Sequence, residues 1–247
     1  MTAVLFIHGF PFDHLLWRHQ MVALTRWRCL SPDLRGAGTS HAPTAADEYS
    51  MATYADDLIA LLDRAKISNA VVCGLSLGGY IVFELLRRFP ERIRAAILCN
   101  TKAVADTPEA KRGRDVLTAR VLKDGAGVVA AELVPKLLAR STRECRPDVV
   151  GEVEEMILRQ PVAGIVGALR ALRERPDSTP LLDRIRIPVL VVAGDDDQIA
   201  PAAGMREMSR AIPGSEFVLV AEAGHMAPLE QPLVVNAAVA GFLERVG

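Results

Sequence analysis

One stretch limits the folds open to this chain more than any other: Val71-Val72-Cys73-Gly74-Leu75-Ser76-Leu77-Gly78-Gly79-Tyr80. A β-branched run, with Ala70 before it, meets Gly-x-Ser-x-Gly and passes straight into Ile81-Val82-Phe83-Glu84-Leu85-Leu86-Arg87-Arg88. The first part predicts a buried strand and the last a helix, with Ser76 on the corner between them. So tight a corner forces unfavourable backbone angles on Ser76, while Gly74 and Gly78, lacking Cβ, let strand and helix approach closely. The hydroxyl then stands clear above the sheet, beside Leu77 N–H at the positive end of the helix. With Gly and Ser each near 7% of average sequences, chance alone supplies such a motif in roughly one chain in ten of this length. Its surroundings decide what it means.

Those surroundings alternate between strand and helix. Ala3 to Ile7 is wholly apolar, as a strand covered on both faces should be. Asp13 is placed to cap a helix carrying Trp17, Met21 and Leu24 on one face. A second strand near Arg28 to Ser31 leads into Pro32-Asp33-Leu34-Arg35-Gly36-Ala37-Gly38-Thr39-Ser40, a loop rich in turn formers. Ser50 caps a helix in which Met51, Tyr54, Leu58, Leu61 and Leu62 recur at helical spacing. After the corner, Phe89-Pro90 stops its helix and Arg94 to Cys99 makes a fourth strand. From about 102 to 179 the pattern is helical only. Thr107-Pro108-Glu109 is a strong helix start, Pro147 and Pro161 open further segments, and Ile165, Val166, Leu169 and Leu172 line one face. Strands resume at Pro188 to Ala193 and Glu216 to Val220, and a helix follows Pro232. The expectation is an α/β chain with a doubly wound, mostly parallel sheet. Its core spans 1–101 and 180–247, and a helical lid spans 102–179.

Composition excludes several classes. The 247 residues can bury a sizeable core, half of them are hydrophobic, and the formal net charge is −1. Without a block of like charge, neither a nucleic-acid nor a membrane partner is expected. Cys29, Cys73, Cys99 and Cys145 are far apart and include no C-x-x-C pair, which predicts free buried thiols in a reducing compartment. The apolar start lacks a basic flank and a cleavage site and is too short to span a bilayer, so the protein is expected to be cytoplasmic. His14 and His19 lack metal-ligand spacing, and Gly36 and Gly38 do not form G-x-G-x-x-G after a strand. No metal and no cofactor is predicted.

In such sheets ligands sit at the carboxyl ends of the strands. The third strand ends at Ser76, the fifth in Gly194-Asp195-Asp196-Asp197 and the sixth in Ala223-Gly224-His225-Met226. Serine, acid and histidine follow in that order, each on a loop after a strand. A serine hydroxyl is a poor nucleophile that needs a base of pKa near neutrality, which His225 can supply. The imidazolium then needs a buried anion, and spacing does not choose among Asp195, Asp196 and Asp197.

On these residues, with His8-Gly9-Phe10-Pro11 and Asp33 to Ser40, the whole chain resembles the α/β-hydrolase superfamily. Gly74 to Tyr80, Asp106 to Lys111 and Arg175 to Thr179 resemble bacterial carboxylesterases close to 3-oxoadipate enol-lactonases. The resemblance implies cofactor-free hydrolysis of a small-molecule ester or lactone. It selects Asp197 as the acid through the Gly-x-x-Asp pattern. It also places the second oxyanion donor at Phe10, beside Leu77. A different class stays open: a receptor that keeps the triad and turns over hardly at all. Ser76 argues against dehalogenases and epoxide hydrolases of this fold, which carry aspartate at the corner. His8 is expected to brace a loop; Asp33, Arg35 and Ser40 are expected to form a loop-fixing network; Phe12, Trp17 and the apolar stripe of 102–179 are expected in the core rather than the pocket, whose lining is left open.

The resemblance also shows a departure. Members usually carry an antiparallel hairpin before the strand leading to His-Gly, and here that strand begins almost at Met1. The strand around Arg28-Cys29-Leu30 is then expected to be an edge with unpaired backbone. Either a partner subunit covers it in a homodimer, or the true start lies upstream.

Overall fold

The structure is a computed structural model that describes residues 2–247. Six parallel strands form one sheet: β1 (Ala3–Ile7), β2 (Arg28–Leu30), β3 (Ala70–Leu75), β4 (Ile93–Cys99), β5 (Val189–Gly194) and β6 (Glu216–Val220). Their order is β2-β1-β3-β4-β5-β6, so the chain runs outward to one edge, returns, and builds towards the other. The short β2 is one edge, as expected.

Burial follows from the period of two. Leu5, Ile7, Val72, Leu98 and Val191 face one apolar core, while Val4, Phe6, Val71, Cys73, Ile97 and Val192 face the other. Both faces must therefore be covered by helices. On the first face lie α2 (Met51–Arg64), α3 (Leu77–Arg88) and α9 (Ala202–Ala211). The other carries the segment around α1 (Arg18–Ala23), the short α10 (Ala227–Glu230) and α11 (Pro232–Val246). Trp17, fully buried, packs against Phe6 with ring centroids 5.1 Å apart.

Between β4 and β5 come five helices: α4 (Pro108–Asp124), α5 (Gly127–Leu137), α6 (Arg140–Cys145), α7 (Pro147–Leu158) and α8 (Val162–Arg173). Thr107 caps α4 through its hydroxyl, and Pro147 and Pro161 stand at the starts of α7 and α8. Ile165, Leu169 and Leu172 are buried, and Val166 is only half-buried.

Several local expectations change. Asp13 caps a short 3-10 turn, His14–Trp17, rather than one long helix, and Leu24 lies just past the end of α1. Ser50 and Thr53 form a reciprocal cap on α2, whose Leu61 is only partly buried. All four cysteines are free, but Cys29 is half-buried and Cys145 exposed, because α6 turns that face to solvent. The Asp33 network uses Thr39 where Ser40 was expected: Asp33 accepts from the Thr39 N–H and hydroxyl, and the Ser40 hydroxyl makes no hydrogen bond among the described residues. No helix among the described residues is long and apolar enough to cross a membrane.

Candidate active site

Ser76 joins β3 to α3 with φ 53° and ψ −111°, a strained backbone for a residue with a Cβ. Two close approaches impose it. A Cβ on Gly74 would lie 2.3 Å from the Gly78 carbonyl, and one on Gly78 would lie 2.2 Å from the Ile7 carbonyl oxygen. Neighbouring β4 holds the corner in place, since Ser76 N–H donates to Cys99 O and the Thr101 hydroxyl donates to Ser76 O.

At the ends of β5 and β6 the predicted acid and base meet. His225 Nδ1 lies 2.8 Å from Asp197 Oδ2, and both side chains are buried. Facing a carboxylate, Nδ1 is the ring nitrogen that donates. Asp197 is fully engaged: Oδ2 also accepts from Asn100 Nδ2, and Oδ1 accepts from the Ile199 and Ala200 N–H groups. Burial alone would raise its pKa. The charge and hydrogen bond of His225, with the Ala200 and Asn100 donors, overcome this and hold it below the usual carboxylate range. Asp195 and Asp196 do other things, accepting from Ala223 N–H and Arg140 N–H respectively. The structure therefore separates the three acids that spacing left equivalent.

Phe10 and Leu77 come together at one cleft, whose lining does not include Ser76, Asp197 or His225. Neither N–H finds an acceptor among the described residues. Gly9, just before Phe10, packs so close to the corner that a Cβ there would lie 3.5 Å from Ser76 Cβ. Phe12, Gln160, Ile165 and Ala168 wall the cleft, so α8 closes it from above. Its open volume is about 20 Å³, room for about one water. Phe12 and Ile165 thus serve core and cleft at once. A larger cavity of about 320 Å³ lies between the end of β4 and α9, lined by Lys102, Met205 and Met208, and includes none of the five predicted residues.

Ser76 Oγ and His225 Nε2 make no hydrogen bond to each other in this structure. Such contacts are often long in unliganded sites and tighten when substrate binds. His8 braces the loop as expected: Nε2 accepts from Leu34 N–H and Nδ1 donates to Gly9 O, with burial lowering its pKa. Asp13, His14 and Asp33 also gather, but their polar atoms already engage Arg159, Gln160, Leu15 and Thr39.

Two contributors escaped the sequence reading. Asn100 directly follows β4 with φ 45°, a conformation Asn tolerates better than most residues. It joins Asp197 Oδ2 to Gly224 O through one amide nitrogen. The other is Glu230, which accepts from N–H groups on both sides of His225. An Asn at a strand end, and an acid five residues beyond the histidine, were the only signals.

A parallel sheet with helices on both faces and a Gly-x-Ser-x-Gly corner at its carboxyl edge defines an α/β hydrolase. The chain belongs to that family: the profile of the alpha/beta hydrolase fold matches residues 2–232. It is similar to 3-oxoadipate enol-lactonase 2 of Acinetobacter baylyi, 30% identical over 244 residues that cover 98% of this chain and 89% of that one. Among solved structures it resembles a thermophilic esterase from Thermogutta terrifontis, solved with malate bound. The TM-score is 0.95 at 39% identity, over 100% of this chain and 90% of the other. The enol-lactonase from Burkholderia xenovorans LB400 gives a TM-score of 0.91 at 28% identity, covering 98% and 91%.

Proposed function

We propose that this chain is a serine carboxylester hydrolase that cleaves small or medium acyl esters through an acyl-enzyme. The observation that carries the reading is the buried Asp197–His225 pair, Nδ1 lying 2.8 Å from Oδ2, in loops after β5 and β6 of the sheet in which Ser76 follows β3. In this mechanism Nε2 takes the Ser76 proton as Oγ attacks the acyl carbon. The oxyanion accepts from Phe10 and Leu77 N–H, and the alcohol leaves with the proton from His225. Water then repeats the sequence on the acyl-enzyme, releasing the acid and restoring Ser76. Residues 102–179 act as a lid: a cleft with room for about one water must widen over α8 before an ester enters.

Likeness to two enol-lactonases favours a second reading, lactone hydrolysis. A lactone is an internal ester, so the same steps apply, but the leaving alcohol stays tethered to the acyl group. Steady turnover of p-nitrophenyl butyrate that disappears in Ser76→Ala is the expected result. A single stoichiometric burst without recovery would identify a triad-bearing receptor instead. A panel spanning acyl length and lactones separates the two hydrolase readings by kcat/KM.

A further inference from the structure

Glu230 is an acid with no part in the chemistry proposed above, yet it is only 2% exposed at the end of α10. Its carboxylate faces donors alone. Oε1 accepts from Gly224 N–H at 2.8 Å and Met226 N–H at 3.2 Å, the two residues that flank His225. Oε2 accepts from Ala139 N–H at 2.8 Å and the Thr142 hydroxyl at 2.7 Å, both at the start of α6. Between the flanking residues, His225 N–H donates to Leu137 O at 2.7 Å, at the end of α5. All three N–H groups of Gly224-His225-Met226 are thus held by Glu230 and Leu137. The contact is close as well, since a Cβ on Gly224 would lie 2.5 Å from Ala139 N. Burial pushes the Glu230 carboxyl up, and its four donors pull the other way.

Resting on the reading of His225 as base, we infer that Glu230 is its positioning residue: it fixes the backbone on both sides of His225 and ties that backbone to the first turn of α6. Placement of the imidazole and seating of the 102–179 segment then become one event. A ring held only at Asp197 could still swing with its own loop, whereas four hydrogen bonds into two elements define where Nε2 stands.

Glu230→Gln keeps the shape and removes the charge. Its NH₂ settles towards Thr142, whose hydroxyl can turn to accept, and Ala139 N–H loses its partner. Thr142→Val removes only a donor from the α6 side. Each protein is titrated with a p-nitrophenyl phosphonate, which counts reactive Ser76 and so corrects for any unfolded fraction. We expect kcat per titrated site to fall between ~10- and ~100-fold in Glu230→Gln and less in Thr142→Val, with KM nearly unchanged. The proton shared by His225 Nδ1 and Asp197 should shift or broaden in the low-field NMR spectrum. A kcat per site within a factor of about two of wild type in Glu230→Gln overturns the inference, and if that chain aggregates, the same result in Thr142→Val does so. Wild-type protein left unlabelled at Ser76 refutes the hydrolase reading and the inference with it. Labelled wild type with unaffected variants refutes the inference alone.

Discussion

Asp197→Asn tests the choice of acid most severely, because every polar atom around this carboxylate is a donor. Oδ2 receives His225 Nδ1 and Asn100 Nδ2, and Oδ1 receives the Ile199 and Ala200 N–H groups. An amide must therefore point its NH₂ at donors whichever way it turns. Turned towards Ile199 and Ala200, it strands two backbone N–H groups that cannot move, at about 1–3 kcal/mol each. Turned towards His225, it leaves Asn100 still bonded to Gly224 O. His225 can also change tautomer, so that Nδ1 accepts. The second arrangement wins by a few kcal/mol, and it moves the ring proton to Nε2, where the base should be empty. Loss of the correct tautomer lowers kcat by up to ~10⁴, about 5.4 kcal/mol of barrier. The assay is kcat on p-nitrophenyl butyrate per phosphonate-titrated site, beside a melting curve. Each kcal/mol of lost stability lowers Tm by about 2–4 °C in a chain of this size, so the protein should stay folded. Asp195→Asn and Asp196→Asn should remain within a few-fold of wild type. If either of those abolishes turnover while Asp197→Asn retains it, the reasoning is wrong.

Ser76→Ala should remove turnover without lowering Tm, because the hydroxyl has no hydrogen-bond partner among the described residues and Ala keeps the strained φ; a large fall in Tm would refute this. Gly164→Ala should unseat α8, since the new Cβ would lie 1.7 Å from Gly36 O. A lower Tm and a raised KM are expected, and unchanged kinetics would show that α8 does not shape the cleft. Asp33 governs part of the acid limit: burial would raise its pKa, but Thr39 and His14 donors hold it at about 2. Because the folded pKa lies below the unfolded value of about 3.9, the stabilisation is complete above that value and is lost as pH falls towards 2. After allowance for solvent screening it amounts to about 1 kcal/mol, so Tm of wild type should converge with that of Asp33→Asn between about pH 4 and 2.

What could be read from the sequence was read because its causes are local. The strands announce themselves through apolar runs that both cores require, and their ends moved by only a residue or so, as at Ile93–Cys99 and Val189–Gly194. The corner at Ser76 was legible because Gly74 and Gly78 are the price of that geometry. Among the three neighbouring acids Asp197 also has a local task, capping its own following turn through Ile199 and Ala200 N–H. Asn100 and Glu230 were illegible for the opposite reason. The Asn100 partners lie 97 and 124 residues away, and although Glu230 has local partners in Gly224 and Met226, its other two lie 88 and 91 residues away across the helical segment. The same holds for the seat of α8 on the loop at Gly36 and for the clasp of Asp13 by Arg159 and Gln160. Every one of these long-range contacts except Asn100 joins the 102–179 helices to the core. Local chemistry thus names the groups able to react, whereas the opening of the cleft depends on contacts that exist only once the chain has folded back on itself. Substrate choice should therefore respond to changes at the seat of α8 more readily than to changes in the sheet.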